Sequence, residues 1–173
     1  GDLLEKQTII IESGRVVSVD DGFLTPEGST VIDLSTAYVS PGFMDMHVHL
    51  LQELDPPSSY AEGFYMNSAD IALRATVYAR RTLEAGFTTV RDLGARDMEA
   101  GFALRDAINQ GIVAGPRIFA AGKSIATTGG HADPTNGLRE NLRGDPGPKE
   151  GVINGPDDAV KAVRQRYKDG SDV

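Results

Sequence analysis

Two histidines one residue apart, His47 and His49, are the residues of this sequence best suited to chemistry. Successive side chains of a β-strand point to opposite faces, so both imidazoles would share one face with Asp45. At this spacing the imidazoles lie roughly 6.5 Å apart along a strand, which lets both reach one cation. We therefore predict a metal site at His47 and His49, with a polar strand edge as the alternative interpretation.

The remaining histidine, His131, follows Gly129 and Gly130 in a stretch without periodicity that runs from Gly122 to Gly155. A structureless loop of that length inside a compact domain is usually functional or disordered. Its glycines would let the backbone come close to a ligand, although they give no rigid strand geometry for holding a metal. A ligand contact and an ordinary surface-loop histidine both fit this pattern.

Four charged residues have weaker claims to a function. Asp45 could orient an imidazole through its second ring nitrogen, as carboxylates do around metal ligands, or it could pair with a nearby turn. Asp92 ends a β-branched stretch, and we interpret it as structural rather than catalytic. Arg139 and Arg143 could meet a substrate carboxylate, but solvated loop charges are the simpler interpretation.

The elements that must position these residues alternate between strand and helix after residue 39. Such alternation is typical of an α/β fold with a parallel sheet and right-handed crossovers. Ser171-Asp172-Val173 is predicted to open a fourth strand. Before it we predict three strands, at Ser40–Leu50, Phe87–Asp92 and Arg117–Ala121. We also predict three helices. The first is capped by Ser68 and stopped by Gly86, the second runs from Arg96 to Gln110, and the third runs from Pro156 to Gly170.

The first 39 residues have a β pattern and form a separate predicted domain, residues 1–39, ahead of residues 40–173. Thr8–Glu12 and Arg15–Val19 are β-branched runs joined by Ser13-Gly14, which predicts a two-residue hairpin turn. A third short strand is predicted at Thr30–Asp33. Strands this few and short cannot bury a core alone.

Composition narrows the function classes. The chain has 173 residues, 40% hydrophobic and 24% charged, which is ordinary globular composition. With no cysteine, any metal must bind nitrogen and oxygen ligands. A formal charge of −8 argues against nucleic acid, and the lack of a long apolar run argues against a membrane span. No signal peptide is visible, which decides little because the N-terminus is expected to be incomplete. We expect a cytoplasmic protein, with a periplasmic or secreted location left open.

Three stretches resemble, in order, segments of the amidohydrolase superfamily. Tyr38–His49 resembles its first barrel strand, Ala85–Gly94 its second, and Gly115–Gly122 with Thr128–His131 its third strand and following loop. The resemblance implies the first three βα units of a (β/α)₈ TIM barrel and the start of strand four, preceded by part of a small β-sandwich. A complete barrel takes about 250 residues, so we expect an N-terminal fragment of a longer protein.

The resemblance also implies a chemistry. In this family two histidines placed like His47 and His49 ligate a catalytic metal, which we expect to be Zn²⁺, in a site of one or two divalent ions. A bridging carboxylated lysine, two further histidines and an acid/base aspartate would follow Val173, so no catalytic residue is expected within this chain. A metal-activated hydroxide would then attack an amide carbonyl.

Within the superfamily the closest resemblance is to the imidazolonepropionase-like and Xaa-Pro dipeptidase branch. We therefore expect a metal-dependent hydrolase of C–N bonds, most similar to a Xaa-Pro dipeptidase, that acts on a small molecule or dipeptide. His131 would contact the substrate, as a histidine in a similar loop does in some dipeptidase relatives. A cyclic amidase or deaminase and a non-catalytic barrel scaffold remain alternatives, and homo-oligomer formation stays open.

Residues 1–173 expressed alone are expected to be aggregated or molten and inactive, without stoichiometric zinc. Three strands of a closed barrel leave open edges whose backbone groups invite association. The loss of more than half of the contacts should cost more free energy than the roughly 5–15 kcal/mol that stabilises a complete domain. Size-exclusion chromatography with thermal melting tests this, and a monodisperse monomer with a cooperative melt would contradict it.

Overall fold

The computed structural model describes residues 3–53, 61–94 and 97–173. The chain divides into two compact units, Gly1–Pro41 and Gly42–Val173. In the described ranges, none of the helices is long and apolar enough to cross a membrane.

The first unit contains the predicted hairpin. Strands β1 (Gln7–Glu12) and β2 (Arg15–Asp21) pair antiparallel, with Glu12 opposite Arg15. Ser13 and Gly14 have φ angles of 51° and 75°, the two positive values that a type I′ turn requires. The hairpin prediction is therefore confirmed. Strand β2 ends at Asp21, two residues beyond the predicted end at Val19.

The strand predicted at Thr30–Asp33 is wrong, because the structure assigns no strand there. Val31 and Ile32 are 58% and 78% exposed. A strand needs a partner for its backbone N–H and C=O groups. Among residues 3–41 the strands β1 and β2 pair with each other, and neither pairs with this stretch. The β-branched stretch therefore has no neighbouring strand among residues 3–41 to pair with.

The second unit has the predicted strand–helix alternation around a parallel sheet. The sheet order β3-β4-β5 follows the sequence order, and both pairings are parallel. The described elements are β3 (Phe43–Val48), α1 (Ser68–Glu84), β4 (Phe87–Asp92), α2 (Met98–Asn109), β5 (Arg117–Ala120), α3 (Glu140–Arg143) and α4 (Pro156–Asp169).

Helix ends follow the local signals closely. Asn67, rather than Ser68, caps α1: its side chain accepts hydrogen bonds from the Ala69 and Asp70 N–H groups, and the Asp70 carboxylate accepts one from the Asn67 N–H. This capping box places Ser68 at the first helical position. Helix α4 starts at Pro156 and ends before Gly170, whose φ of 99° stops it as predicted. The start of α2 predicted at Arg96 lies outside the described residues.

The core of the second unit lies between the sheet and helices α1 and α2. Small residues on the helices bring them close to the strands, and Ala75 and Ala79 are fully buried. The cluster consists of Leu50, Leu51, Ala75, Ala79, Val90, Ala100, Leu104, Ile118 and Ala120. Leu50 and Leu51 directly follow His49, so the core anchors the chain immediately after the histidine pair.

The long segment after β5 is ordered, which corrects the expectation of a structureless loop. It contains α3 and a parallel bridge between Ala126 and Val152. Arg166 of α4, only 5% exposed, donates a hydrogen bond of 2.7 Å to the Lys149 carbonyl. The segment therefore folds back on itself and is fastened to α4.

Residues 171–173 form no strand, contrary to the prediction. The Asp172 N–H nevertheless donates to the Ala120 carbonyl at 2.8 Å, and the Ala120 N–H donates to the Asp172 carboxylate at 2.9 Å. Arg105 of α2 also donates to this carboxylate at 3.0 Å. The chain therefore runs beside the end of β5 without forming a regular ladder.

Gly42, directly before β3, is predicted to tolerate no side chain. A Cβ at Gly42 would overlap the Thr88 side chain of β4, so Gly42→Ala must displace one strand from the other. We expect a loss of about 1–3 kcal/mol in the free energy of unfolding of the full-length protein, measured by denaturant titration. Gly147→Ala is the control, because the nearest atom to its Cβ lies 4.0 Å away. Equal stability of the two variants would contradict the prediction.

Candidate functional site

The structure brings the rings of His47 and His49 together at the carboxyl end of β3. Their centroids are 5.4 Å apart and their planes meet at 75°. His47 lies inside the strand and His49 directly after it, and both residues are exposed. The two rings therefore lie side by side as the alternating pattern predicted, while their role as metal ligands remains a prediction.

The ring of His49 has a backbone partner that the sequence analysis missed. Its Nδ1 lies 2.8 Å from the carbonyl oxygen of Gly94, which comes 45 residues later in the chain. A carbonyl only accepts, so Nδ1 carries the proton, and in the neutral form of the ring Nε2 has a free lone pair. The one available signal was the position of Gly94 just after a strand predicted to neighbour β3.

Asp45 does not orient an imidazole. Its Oδ1 accepts a 2.9 Å hydrogen bond from the His47 backbone N–H. The register of β3 against β4 shifts between Asp45 and Val48, which takes this stretch out of the regular ladder. The carboxylate thus supplies an acceptor for the His47 backbone N–H within the same strand, which is neither the imidazole contact nor the turn pairing that the sequence suggested.

Asp92 ends β4 and is only 7% exposed. Its Oδ2 accepts a hydrogen bond from the Leu50 N–H at 3.0 Å, and its Oδ1 accepts one from the Gly94 N–H at 3.2 Å. Burial raises the pKa of Asp92, while the hydrogen bonds from Leu50 and Gly94 and the nearby His49 act in the opposite direction. The carboxylate therefore holds backbone groups, as the structural interpretation expected.

His131 lies exposed in a turn organised by a neighbouring carboxylate. Asp133, only 6% exposed, accepts hydrogen bonds from the Gly129 N–H at 2.8 Å, the Thr135 N–H at 2.9 Å and the Thr135 hydroxyl at 2.7 Å. The Gly129 N–H, followed by the Thr135 groups, lowers the pKa of Asp133. The loop is thus more rigid than its glycines suggested, and Asp133-Pro134-Thr135 was the turn signal that could have shown it.

The two loop arginines have different surroundings. The Arg143 Nε donates to the Leu138 carbonyl at 2.7 Å, so part of this guanidinium stabilises the loop itself. Arg139 is exposed and precedes α3 without a side-chain capping bond. Neither position singles out a substrate contact, which keeps the solvated-charge interpretation in place.

The histidine pair and the start of the loop that carries His131 lie at the same edge of the sheet. His49 follows β3, Gly94 follows β4, and the loop with His131 follows β5. Parallel strands end at a common edge, and (β/α)₈ barrels keep their active sites on it. Imidazole nitrogens at this edge suit zinc.

The residues present fit part of a metal site. Zinc sites of enzymes take about three protein ligands, and His47 and His49 offer two. The exposed rings and the fixed Nδ1–H of His49 leave ring nitrogens available to a cation. Within the described ranges no group of three or more His, Asp or Glu residues could hold a metal ion. If a metal binds here, His47 and His49 would be two ligands of a site that needs more.

Comparisons with known proteins show which solved structures this chain is similar to. A solved Xaa-Pro dipeptidase with methionine bound in its active site is 47% identical, with a TM-score of 0.85 over 95% of this chain and 40% of that chain. A prolidase in complex with N-methylphosphonate-L-proline is 32% identical, with a TM-score of 0.76 over 99% of this chain and 41% of that chain. The mixed α/β structure thus matches amidohydrolase TIM-barrel proteins.

Sequence relatives match a shorter stretch of this chain than the solved structures do. Ochratoxinase from Aspergillus niger is 30% identical over 93 residues, which are 54% of this chain and 18% of the relative. The chain therefore spans under half the length of the proteins it matches. The family model for the amidohydrolase family matches residues 38–173. The chain accordingly belongs to the amidohydrolase family, whose members are generally metal-dependent hydrolases that act on C–N bonds.

Proposed function

We propose that this chain is the N-terminal part of a metal-dependent dipeptidase of the Xaa-Pro type. The observation that carries the proposal is the His47–His49 pair, with rings 5.4 Å apart and the Nδ1 of His49 tied to the Gly94 carbonyl. With Nδ1 bonded to the backbone, Nε2 of a neutral imidazole would be the nitrogen that binds a cation. The similarity to a Xaa-Pro dipeptidase and to a prolidase supports the choice of substrate.

The proposed architecture is a (β/α)₈ barrel that extends past residue 173. In it, β3 with α1, β4 with α2, and β5 with α4 are the first three βα units, and Asp172 lies where strand four would start beside β5. The hairpin β1–β2 would belong to a small β-sandwich. Support comes from the parallel β3-β4-β5 order and from structural matches that cover 95–99% of this chain.

His47 and His49 would hold a divalent metal, proposed to be Zn²⁺. When bound, the metal supplies a water of lowered pKa and polarises the scissile carbonyl. The chain's own contribution is orientation: Gly94 fixes the His49 ring, and Asp45 fixes the backbone of His47. Both rings are exposed at the sheet edge, so a small substrate could reach the site.

His131 is proposed to contact the substrate. Its loop leaves β5 at the same sheet edge, and Asp133 holds the turn around it through three hydrogen bonds. An exposed imidazole on a fixed turn can donate to a carbonyl or carboxylate without bonding a metal. Ring nitrogens placed by a rigid loop orient a dipeptide at little entropic cost.

His47→Ala in the full-length protein is expected to abolish dipeptide hydrolysis and to lower bound metal while leaving the fold intact. The loss should exceed the roughly 10–100-fold typical of changes around a metal ligand, because a ligand itself is removed. Metal analysis by mass spectrometry beside an Xaa-Pro dipeptide assay measures both effects.

Met46→Leu, which changes the opposite face of the same strand at nearly constant volume, is the control and should keep both metal and activity. Unchanged turnover and metal content in His47→Ala would remove His47 from the site. Activity on a cyclic amide or imidazolone substrate, without dipeptide hydrolysis, would favour the cyclic amidase or deaminase alternative, which shares His47 and His49.

His131→Asn is expected to lower kcat/KM for several Xaa-Pro dipeptides, chiefly through KM, and to leave the metal content unchanged. Losing one hydrogen bond to a charged group costs about 1.5–3 kcal/mol, which corresponds to a decrease of roughly 10–150-fold. Glu140→Gln, exposed in the same segment, is the control. If kcat/KM were the same for His131→Asn and the parent across the dipeptides, His131 would be an ordinary surface residue.

A further inference from the structure

Three consecutive residues around His49 are tied to the three residues at the end of β4. The Val48 carbonyl accepts from the Leu93 N–H at 3.2 Å, the His49 ring donates to the Gly94 carbonyl at 2.8 Å, and the Leu50 N–H donates to Asp92 at 3.0 Å. The backbone is therefore held on both sides of His49, and its ring is held separately.

Asp92 takes part in this arrangement twice. One carboxylate oxygen accepts from the Leu50 N–H and the other accepts from the Gly94 N–H, and Asp92 is buried. The Gly94 residue that Asp92 holds by its N–H is the same residue whose carbonyl orients His49. One carboxylate thus sets both the backbone after His49 and the acceptor of its ring.

Gly94 lies against the loop after β5 with no room for a side chain. Its φ is +120°, and a Cβ there would lie 2.5 Å from the Ser124 hydroxyl and 3.1 Å from the Gly122 carbonyl. The backbone at Gly94 is consequently confined by the loop after β5 and by Asp92 together. A carbonyl confined on two sides gives the His49 ring a fixed partner rather than a mobile one.

We infer that Asp92 is a positioning residue for metal binding, acting on His49 through the Gly94 and Leu50 backbone groups rather than by direct contact. The inference rests on the proposed metal site at His47 and His49. It assigns Asp92 a part in metal affinity that a merely structural carboxylate would not have. Partners that orient metal-ligating histidines typically contribute about 10–100-fold to metal affinity or activity.

Asp92→Asn in the full-length protein tests this assignment. The amide keeps the size of the carboxylate but turns an N–H₂ group toward one of the two backbone N–H groups, which leaves that group unpaired. We expect the Kd for Co²⁺ to rise about 10–100-fold and the visible absorption spectrum of the Co²⁺-loaded protein to change. Co²⁺ is the probe because its spectrum reports the ligand geometry, which Zn²⁺ cannot.

Asp133→Asn is the matched control, because Asp133 is equally buried and also accepts backbone hydrogen bonds, but in the His131 loop. It should leave the Co²⁺ Kd and spectrum unchanged even if thermal stability falls. If Asp92→Asn lowered the unfolding midpoint but kept the parent's Kd and spectrum, Asp92 would be structural only and the inference would be overturned.

His49→Ala separates this failure from failure of the proposed function. If the parent binds Co²⁺ and His49→Ala loses it while Asp92→Asn keeps it, the inference alone is wrong. If the parent binds no stoichiometric Co²⁺, or His49→Ala binds as tightly as the parent, the metal site and the inference both fail.

Hydrogen exchange in the parent protein gives a measurement that does not depend on a variant folding. Coupling between two sites is reciprocal, so if Asp92 and its backbone partners favour metal binding, bound metal must favour their hydrogen bonds. Adding Co²⁺ should slow exchange of the Leu50 and Gly94 amides and leave the Gly129 and Thr135 amides unchanged. Equal exchange at Leu50 and Gly94 with and without metal would overturn the inference.

Discussion

The parallel pairing of β3 with β4 is the interaction on which the candidate site depends. It places the chain that leaves β3 beside the end of β4 and the residues that follow it, so that His49 meets Gly94 and Leu50 meets Asp92. The two strands must approach each other closely for this. Gly42 permits the approach because any side chain there would overlap Thr88. A small displacement between the two strands would break all of these bonds together.

The packing beneath the sheet supports the same pairing. Fully buried alanines on α1 bring this helix against the strands, and Val90 in the middle of β4 is fully buried with them. Leu50 and Leu51 join this core directly after the histidine pair. The apolar residues thus fix the backbone that leaves β3, while the exposed rings remain at the edge. The exposed His49 and the buried Leu50 are adjacent in the chain.

The segment after β5 is held by polar groups as well as by apolar burial, since Val152 within it is only 1% exposed. Asp133 accepts three hydrogen bonds within the His131 turn, and Arg166 fastens the segment to α4 through the Lys149 carbonyl. Charged groups buried in this way must be hydrogen-bonded, since an unpaired one would be costly. The segment can therefore be rich in glycine and still present His131 on a defined turn.

The sequence by itself determined the features that depend on neighbouring residues: the hairpin turn at Ser13-Gly14, the ends of α4, and the shared face of His47 and His49. These follow from backbone conformation and period, which a few adjacent residues decide. The N-cap of α1 also depends on neighbouring residues. It was predicted at Ser68 and lies one residue earlier, at Asn67, because both residue types can cap a helix.

Only the tertiary structure decided which distant groups meet. The acceptor for His49 lies 45 residues away, and nothing in the local pattern around either residue specifies the contact. The strand predicted at Thr30–Asp33 failed for a related reason, since β-branched residues favour a strand but cannot supply its partner. Asp92 had the same local pattern whether it was solvated or buried, and its two backbone partners became identifiable only once β3 and β4 lay side by side.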